Sequence, residues 1–499
     1  MTTPVFTPYT TGAKLFGPKP AWVADPLDIE RLQSYTLYEQ IYWNVPDVFK
    51  LSQRGTDDKP IYVPAGRTIV DTSNRYTGAG YSIAVTNRLT GKDTPDVLAA
   101  RMALSDLMTR ERFKSKFRGA KRYCQIQGDW VWHVTANPDK PLGSRVSLNT
   151  IDPGFYFPVP DPDSVDRIIA VFLAEPTTLN DDPVVRRVCY RKTAATATSD
   201  AVVTVEEGYF ATDDWQDLEA QPVQVISPQS VLVGITSIPV YHIKNFEEPG
   251  NVFGSSELRG MERIIAGLHQ TMSDEDLTLA MQGLGMYSTT APRPIDPDTK
   301  KPVPWRIGPG VVIHRPEGTE WERIAGVGTV APFGDHYNRL WESMKQATAS
   351  PDVAVGTVDV QIAQSGIALS LQLLPIMEKS AEKNDLIAEK HDQMWFDLVN
   401  MWYPTYEDTT FAEVSAKSVF GDAVPVDRET RFRELNDMLA GGVIDDEYYR
   451  QEASKLGYVF PQDMAARSKA WRDDQKADTF GTRVDDELEG GDDGASGAA

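Results

Sequence analysis

Asp161 and Asp163 stand two residues apart in the run Pro158-Val159-Pro160-Asp161-Pro162-Asp163. Two carboxylates that close together are candidates for gripping a divalent cation. The prolines around them favour a turn, which is the simpler reading. The 6 histidines are scattered and form no short-spaced pair. His133 alternates within a strand pattern beside Trp130 and Trp132, which points to packing rather than catalysis. The chain has no G-x-x-x-x-G-K-[ST] phosphate loop, no H-E-x-x-H, no G-x-S-x-G and no C-x-x-C. With 72 Asp and Glu an acid/base pair can be assembled in three dimensions, but the spacing singles none out. No catalytic residue, cofactor or metal ligand is expected, and the chain reads as a non-enzyme.

Nucleic-acid chemistry has one candidate. Arg110, Arg112, Lys114, Lys116, Arg118, Lys121 and Arg122 crowd one stretch, opposed by Glu111 alone. In a chain of net charge −22 such a cluster suggests phosphate binding. Phe113 and Phe117 lie within it and have the type of base-stacking platforms. Their spacing of four puts them on one helix face, so core packing is the simpler account. For the cations the simpler account is a solvated face, or pairing with acids of a neighbouring subunit. The overall acidity argues against a protein that reads nucleic-acid sequence, which would carry a basic footprint.

The elements that must position these residues follow from periodicity. At 499 residues and 41% apolar the chain has room for two to four domains or one large one. It has no run of about 18 apolar residues to span a bilayer and no apolar signal core in residues 1–19. Two cysteines, Cys124 and Cys189, are too few for a disulfide framework, so a reduced assembly site is expected. A helix is expected at 27–42, with Leu32, Tyr35, Tyr38 and Tyr42 on one face. A second is expected at 94–118, with Val97, Ala100, Leu104, Leu107 and Met108 inward. Residues 123–127 and 130–134 read as strands around a Gly128-Asp129 turn. Further strands are expected at 145–149, 167–173, 186–191, 201–205, 223–226 and 238–243.

The stretch 251–403 organises the rest. A helix is expected at 255–284, with Leu258, Met261, Ile265 and Leu268 on one stripe. A Pro- and Gly-rich, strand-like insert follows at 288–323. Next comes a helix with Tyr337, Leu340, Trp341 and Met344 on one face. Residues 350–364 carry no helical period and only two charges, Asp352 and Asp359. A loop of about 15 residues is long for a compact domain. A helix at 366–402 contains Pro375, where a kink is expected. Residues 405–425 read as irregular. Short helices are expected at 427–440, stopped by Gly441-Gly442, at 445–456 and at 461–471. The tail 485–499 is acidic and Gly/Ala-rich and reads as disordered.

This order of long helix, small β insert, helix, loop and kinked helix resembles the core of the portal proteins of tailed bacteriophages. Three local features share the likeness: Tyr76-Thr77-Gly78 after a short helix, the Gly128-Asp129 stretch before Trp130, and Leu439-Ala440-Gly441-Gly442-Val443-Ile444-Asp445. At Gly78 a helix C-cap is an equally good reading. The resemblance implies an α+β portal-like fold. Its division is an arm at 1–26, a wing of helices and β meander at 27–250, and a first stem helix at 251–287. The clip follows at 288–331, the second stem helix at 332–349 and the tunnel loop at 350–365. The kinked wing helix and connector take 366–425, crown helices 426–480 and the acidic tail 481–499.

The function implied is a ring, dodecameric in the family, through which double-stranded DNA is packaged and ejected at one capsid vertex, the ring being assembled in the host cytoplasm. The implied partners are terminase large subunit, head–tail adaptor, major capsid protein and scaffold, with no membrane. Without a phosphate loop, energy for translocation must come from a partner. On this reading Asp352, Val355, Thr357, Asp359 and Gln361 face the channel. Leu258, Met261, Ile265 and Leu268 bury against neighbouring helices of the ring. Trp305, Arg306 and Trp321 serve partner docking, with packing inside the insert as the equal alternative for the tryptophans. Two rival readings are another capsid or tail component and a carboxylate-based hydrolase.

Overall fold

The computed structural model describes residues 22–49, 51–52, 60–195, 200–284, 286–303, 318–324, 331–351, 354, 366–421, 428–444, 448–449 and 452–453. The chain divides into two compact units, Met1–Ala423 and Val424–Ala499. Residues 1–21 of the expected arm, most of the two helices beyond 445, and the tail lie outside the described residues; Trp22 and Val23, expected in the arm, are instead buried in the core.

Helix α1 (Pro26–Tyr42) starts where Asp25 accepts the Leu27 N–H at 2.8 Å, with proline in the first turn where no N–H is needed. Its buried face carries Leu32, Tyr35, Tyr38 and Tyr42, as the spacing predicts. Helix α2 (Ala65–Tyr76) ends at Gly78, whose φ of +66° is the left-handed stop expected of a glycine. A Cβ at Gly78 would lie 2.9 Å from Phe117 Cζ, so packing also demands glycine there.

The expected helix at 94–118 is two helices. α3 (Pro95–Arg110) is capped by Thr94, and its buried residues are Val97, Ala100, Leu104 and Leu107. Arg112 turns left-handed at φ +54°, and α4 (Phe113–Gln127) sets off in a new direction. The expected hairpin at Gly128-Asp129 is therefore corrected. Residues 123–127 are the last turn of α4, and Gly128 is its cap, at φ +110°, donating to Cys124 O at 2.7 Å. The β-type residues mislead because Phe113, Phe117, Ala120 and Cys124 already make a helical stripe that the core claims.

Strand β1 (Ser82–Asn87) precedes α3. Strand β2 (Asp129–Ala136) is buried at all eight positions, being the centre of a sheet in the order β3-β2-β9, with β3 at Val146–Ile151 and β9 at Val240–Lys244. A five-stranded antiparallel meander follows chain order: β4 (Tyr156–Asp161), β5 (Ser164–Leu179), β6 (Asp182–Thr193), β7 (Val202–Phe210) and β8 (Gln224–Val231). Each strand expected between 145 and 243 overlaps one of these. Asp161 makes the β4–β5 turn by accepting the Asp163 N–H at 3.0 Å, so the turn reading holds.

Helix α5 (Glu262–Leu284) begins later than expected, because residues 257–260 form turns. Strands β10 (Met286–Thr289) and β11 (Trp321–Ile324) pair antiparallel within the insert. Helix α6 (Ala331–Ala347) returns along α5. A Cβ at Gly267 would meet Leu340 Cδ1 at 3.2 Å, so the two helices pack closely at that point. The 23 residues of α5 span about 35 Å at 1.5 Å per residue. Helix α7 (Gly366–Asp397) keeps Pro375 inside and runs into a π-turn at Leu398–Trp402. Strand β12 (Val414–Val419) pairs with β1, so part of 405–425 is ordered sheet rather than irregular chain. In the second unit, α8 (Arg428–Ala440) buries Leu435 and stops at the two glycines, Gly442 taking φ +67°.

Two cores result. The larger joins the three-stranded sheet, the meander, α3, α4 and the far half of α7. The smaller lies among α1, α2, α5 and α6.

Candidate functional site

The expected channel residues Asp352, Val355, Thr357, Asp359 and Gln361 lie outside the described residues, as do Trp305 and Arg306. Trp321 opens β11 opposite Thr289. The expected ring stripe has a definite place within the single chain. Leu258, Ile265 and Leu268 are fully buried, and Met261 packs beside them against Tyr38, Ile41, Ile69 and Met344. The expectation that this stripe is left uncovered by its own chain is thus corrected: α1, α2 and α6 supply the apolar surface it needs. Leu268→Ala is accordingly expected to cost about 2–5 kcal/mol in the chain's own unfolding. Urea denaturation of the variant measures this, and an unchanged midpoint would refute it.

The basic cluster is largely consumed internally. Arg110 donates to the carbonyls of Gly143 and Val146. Lys116 binds Glu111 at 3.0 Å and Leu148 O at 2.5 Å. Lys121 binds the carbonyls of Asn74 and Thr77 at 2.7 and 2.5 Å, closing the end of α2. Burial, then the charges of Arg118 and Arg122, lower its ammonium to about 8. Arg122 lies 3.5 Å from Asp71. Arg112, Lys114 and Arg118 stay exposed. Phe113 and Phe117 face inward, stacked at 5.6 Å between centroids.

What the sequence did not reveal is the anchorage of the loop between α6 and α7. Glu257, just ahead of α5, is buried with both oxygens engaged: Oε1 by Lys379, and Oε2 by Lys383 at 2.5 Å. Lys379 also donates to Thr348 O at 2.5 Å, just past the end of α6. Lys383 donates to Ser73 of α2 at 3.1 Å. One carboxylate therefore ties α2, the approach to α5, the end of α6 and the middle of α7 together beside the point where the loop leaves α6. Burial pushes the Glu257 carboxyl up, but the Lys383 and Lys379 charges outweigh it and hold it below the usual range. Ala349 takes φ +51° and Ser350 donates back to Lys345 O at 2.9 Å, so the loop's first root is also fixed by backbone.

The far half of α7 is held differently. Trp132 Nε1–H donates to His391 Nε2 at 2.8 Å, which leaves the His391 proton on Nδ1, donating to Tyr81 OH at 2.9 Å. Trp395 donates to the same hydroxyl at 2.8 Å. Burial lowers His391 to about 3, so the ring is neutral at any physiological pH. His133 is likewise buried, against Tyr190 OH at 2.8 Å, and lowered by burial to about 3, in keeping with packing. Asp129 is the nearest thing to a catalytic carboxylate. Tyr35 OH (2.5 Å), His242 Nε2 (2.7 Å) and Gly254 N–H (2.7 Å) all point at it, and it is fully buried. Those contacts join α1, β2, β9 and the approach to α5, and satisfy both oxygens.

The sequence matches no protein-family model and no curated protein. Solved chains do match, two of them as follows. One belongs to a virion of a native gene transfer agent particle, with 11% identity over 86% of this chain and 94% of that one, at a TM-score of 0.44. The other belongs to the neck of an empty gene transfer agent particle computed with C6 symmetry, with 12% identity over 80% and 91% of the two chains, at a TM-score of 0.43.

Proposed function

We propose that this protein is a portal: a ring-forming, non-enzymatic conduit for double-stranded DNA at one vertex of a phage-like capsid. The observation that carries the reading is the layout around α5 and α6. The two helices pack along each other, carry a two-stranded insert at one end, and at the other give way to a loop whose first root is clamped by Glu257 and Lys379. A channel subunit needs that division of labour: a rigid stem, a docking end, and a firmly based loop to meet the DNA. On this reading the insert docks terminase and later the head–tail adaptor, and 350–365 lines the constriction. The ring contact belongs to surfaces other than the Leu258–Leu268 stripe, since a closed ring needs a head-to-tail interface on exposed faces.

Electron microscopy of the purified protein tests the reading, with rings holding an axial hole as the expected result. Compact single particles or filaments would refute it. A second test addresses the loop. Its lack of Lys and Arg suits DNA that slides by without ion pairing. Asp359→Lys with Gln361→Lys is expected to leave rings intact and to add DNA retention that falls steeply with salt. Packaging unchanged at low and high salt would place the loop away from the channel.

A further inference from the structure

A cleft of about 570 Å³ opens between α1, α4 and the β2–β3 edge. Two of its lining side chains are polar, almost fully buried and without a hydrogen-bond partner. Gln127 is 3% exposed with neither amide atom bonded, and Trp130 is 2% exposed with its Nε1–H unbonded. Buried polar atoms of this kind cost stability unless something satisfies them. Three carboxylates line the same cleft, Glu39, Asp152 and Asp129, the last with both oxygens already taken by Tyr35, His242 and Gly254. Burial, and after it the charge of Asp152, pushes the Glu39 carboxyl above its ordinary value. Burial also raises Asp152, against the Gly154 N–H and Arg31. The lining cation Lys116 is already paired with Glu111, and Arg112 is exposed. Tyr123 supplies a partly exposed aromatic ring, and Gly119, with nothing within 4 Å of a would-be Cβ, leaves the wall open.

We propose that this cleft is a receptor for an arginine side chain presented by a polypeptide. The guanidinium would meet Glu39, Asp152 and Gln127 Oε1, and the main-chain carbonyl beside it would accept from Trp130 Nε1–H or Gln127 Nε2. A guanidinium has five N–H donors in a planar fork, which suits several acceptors around one site. It also stacks on aromatic faces, and the exposed ring of Tyr123 offers one. A bare ammonium or guanidinium has no acceptor for the two orphaned donors, whereas an arginine residue does. The site is independent of the loop and insert, and holds whether or not the protein forms a channel.

N-acetyl-arginine amide is the probe, followed by tryptophan fluorescence of the full chain. Saturable binding is expected, abolished in the uncharged citrulline analogue and weakened about tenfold or more by Glu39→Gln or Gln127→Leu. Gln127→Leu removes an unsatisfied group and Glu39→Gln removes a charge that burial disfavours, so both are expected to fold with unchanged or raised thermal midpoints, which separates loss of binding from loss of fold. Agmatine, which carries the guanidinium without the carbonyl, is expected to bind more weakly. Equal or tighter agmatine binding would overturn the polypeptide source in favour of a free organic cation. No binding of any probe, or binding indifferent to both variants, would overturn the site.

Discussion

Glu257→Gln is expected to destabilise the first unit by about 3–5 kcal/mol, because it leaves the buried ammonium of Lys383 and the part-buried one of Lys379 without their shared counter-charge. Glutamine keeps the shape and one acceptor, so the loss reports charge rather than packing. Lys383 is 2% exposed, enclosed by Ser73, Glu257 and the Phe246 ring, whose centroid lies 4.6 Å from its ammonium. The triple variant Glu257→Met, Lys379→Met, Lys383→Met is expected to lose far less than the single one, since an apolar replacement of a whole buried ion cluster removes the desolvation cost together with the attraction. Urea midpoints of the two variants check this, and a single variant no weaker than the triple would refute it. The pH dependence has a definite sign. The folded carboxyl of Glu257 is depressed, so its contribution is present above the unfolded carboxylate value and is lost as pH falls through the folded one. Acid titration of the midpoint should therefore be steeper in wild type than in Glu257→Gln, below about pH 4.5. If the loop's roots matter to a DNA conduit, the single variant should also impair packaging more than its stability loss alone predicts.

This cluster shows where legibility ends. The helices α1, α6 and α8 follow from local period, because each turns an apolar stripe inward, and the six strands expected between 145 and 243 each overlap an observed one; β4 (Tyr156–Asp161) is not among them, because its prolines suggest a connector. Boundaries failed where the core covers an element on more than one side. Gln125, Ile126 and Gln127 are all buried at the end of α4, so the amphipathic signal vanishes and β-type residues suggest a strand. The pairing of β1 with β12 joins residues more than 300 apart, and nothing local announces it. The buried stripe of α7 runs Leu373, Ile376, Ser380, Lys383, Ile387, His391, Met394. A lysine and a histidine at core positions of an apolar stripe are a readable sign of buried polar partners. Which partners they find, Glu257 for one and Trp132 with Tyr81 for the other, is decided by elements far away in sequence. The stripe of Leu258, Ile265 and Leu268 carried the opposite lesson. Its apolar face was legible, but whether its own chain or a neighbour covers it is a question of tertiary packing.

Phe113→Ala is expected to cost about 3–5 kcal/mol, the usual loss for a large aromatic removed from a packed core. Phe113 is fully buried. Its ring stacks on Trp132 at 5.3 Å and 13°, and on Phe117 at 5.6 Å and 8°, and meets Trp395 edge-on at 5.3 Å. Offset aromatic pairs add to the burial itself. The same residue seemed suited to base stacking because it sits among seven cations. Four of those cations, Arg110, Lys116, Lys121 and Arg122, are taken by carbonyls and carboxylates around it, Arg112, Lys114 and Arg118 stay exposed, and the phenylalanines hold the sheet to α7. Two substitutions separate the roles. Lys114→Glu lies on the exposed side of α4 and should change stability by less than about 0.5 kcal/mol. Phe113→Ala should lower the unfolding midpoint sharply while leaving non-specific DNA affinity, measured at one fixed salt concentration, unchanged in the fraction that stays folded. A variant as stable as wild type that has lost affinity for single-stranded DNA would reverse the assignment and make this face a stacking platform.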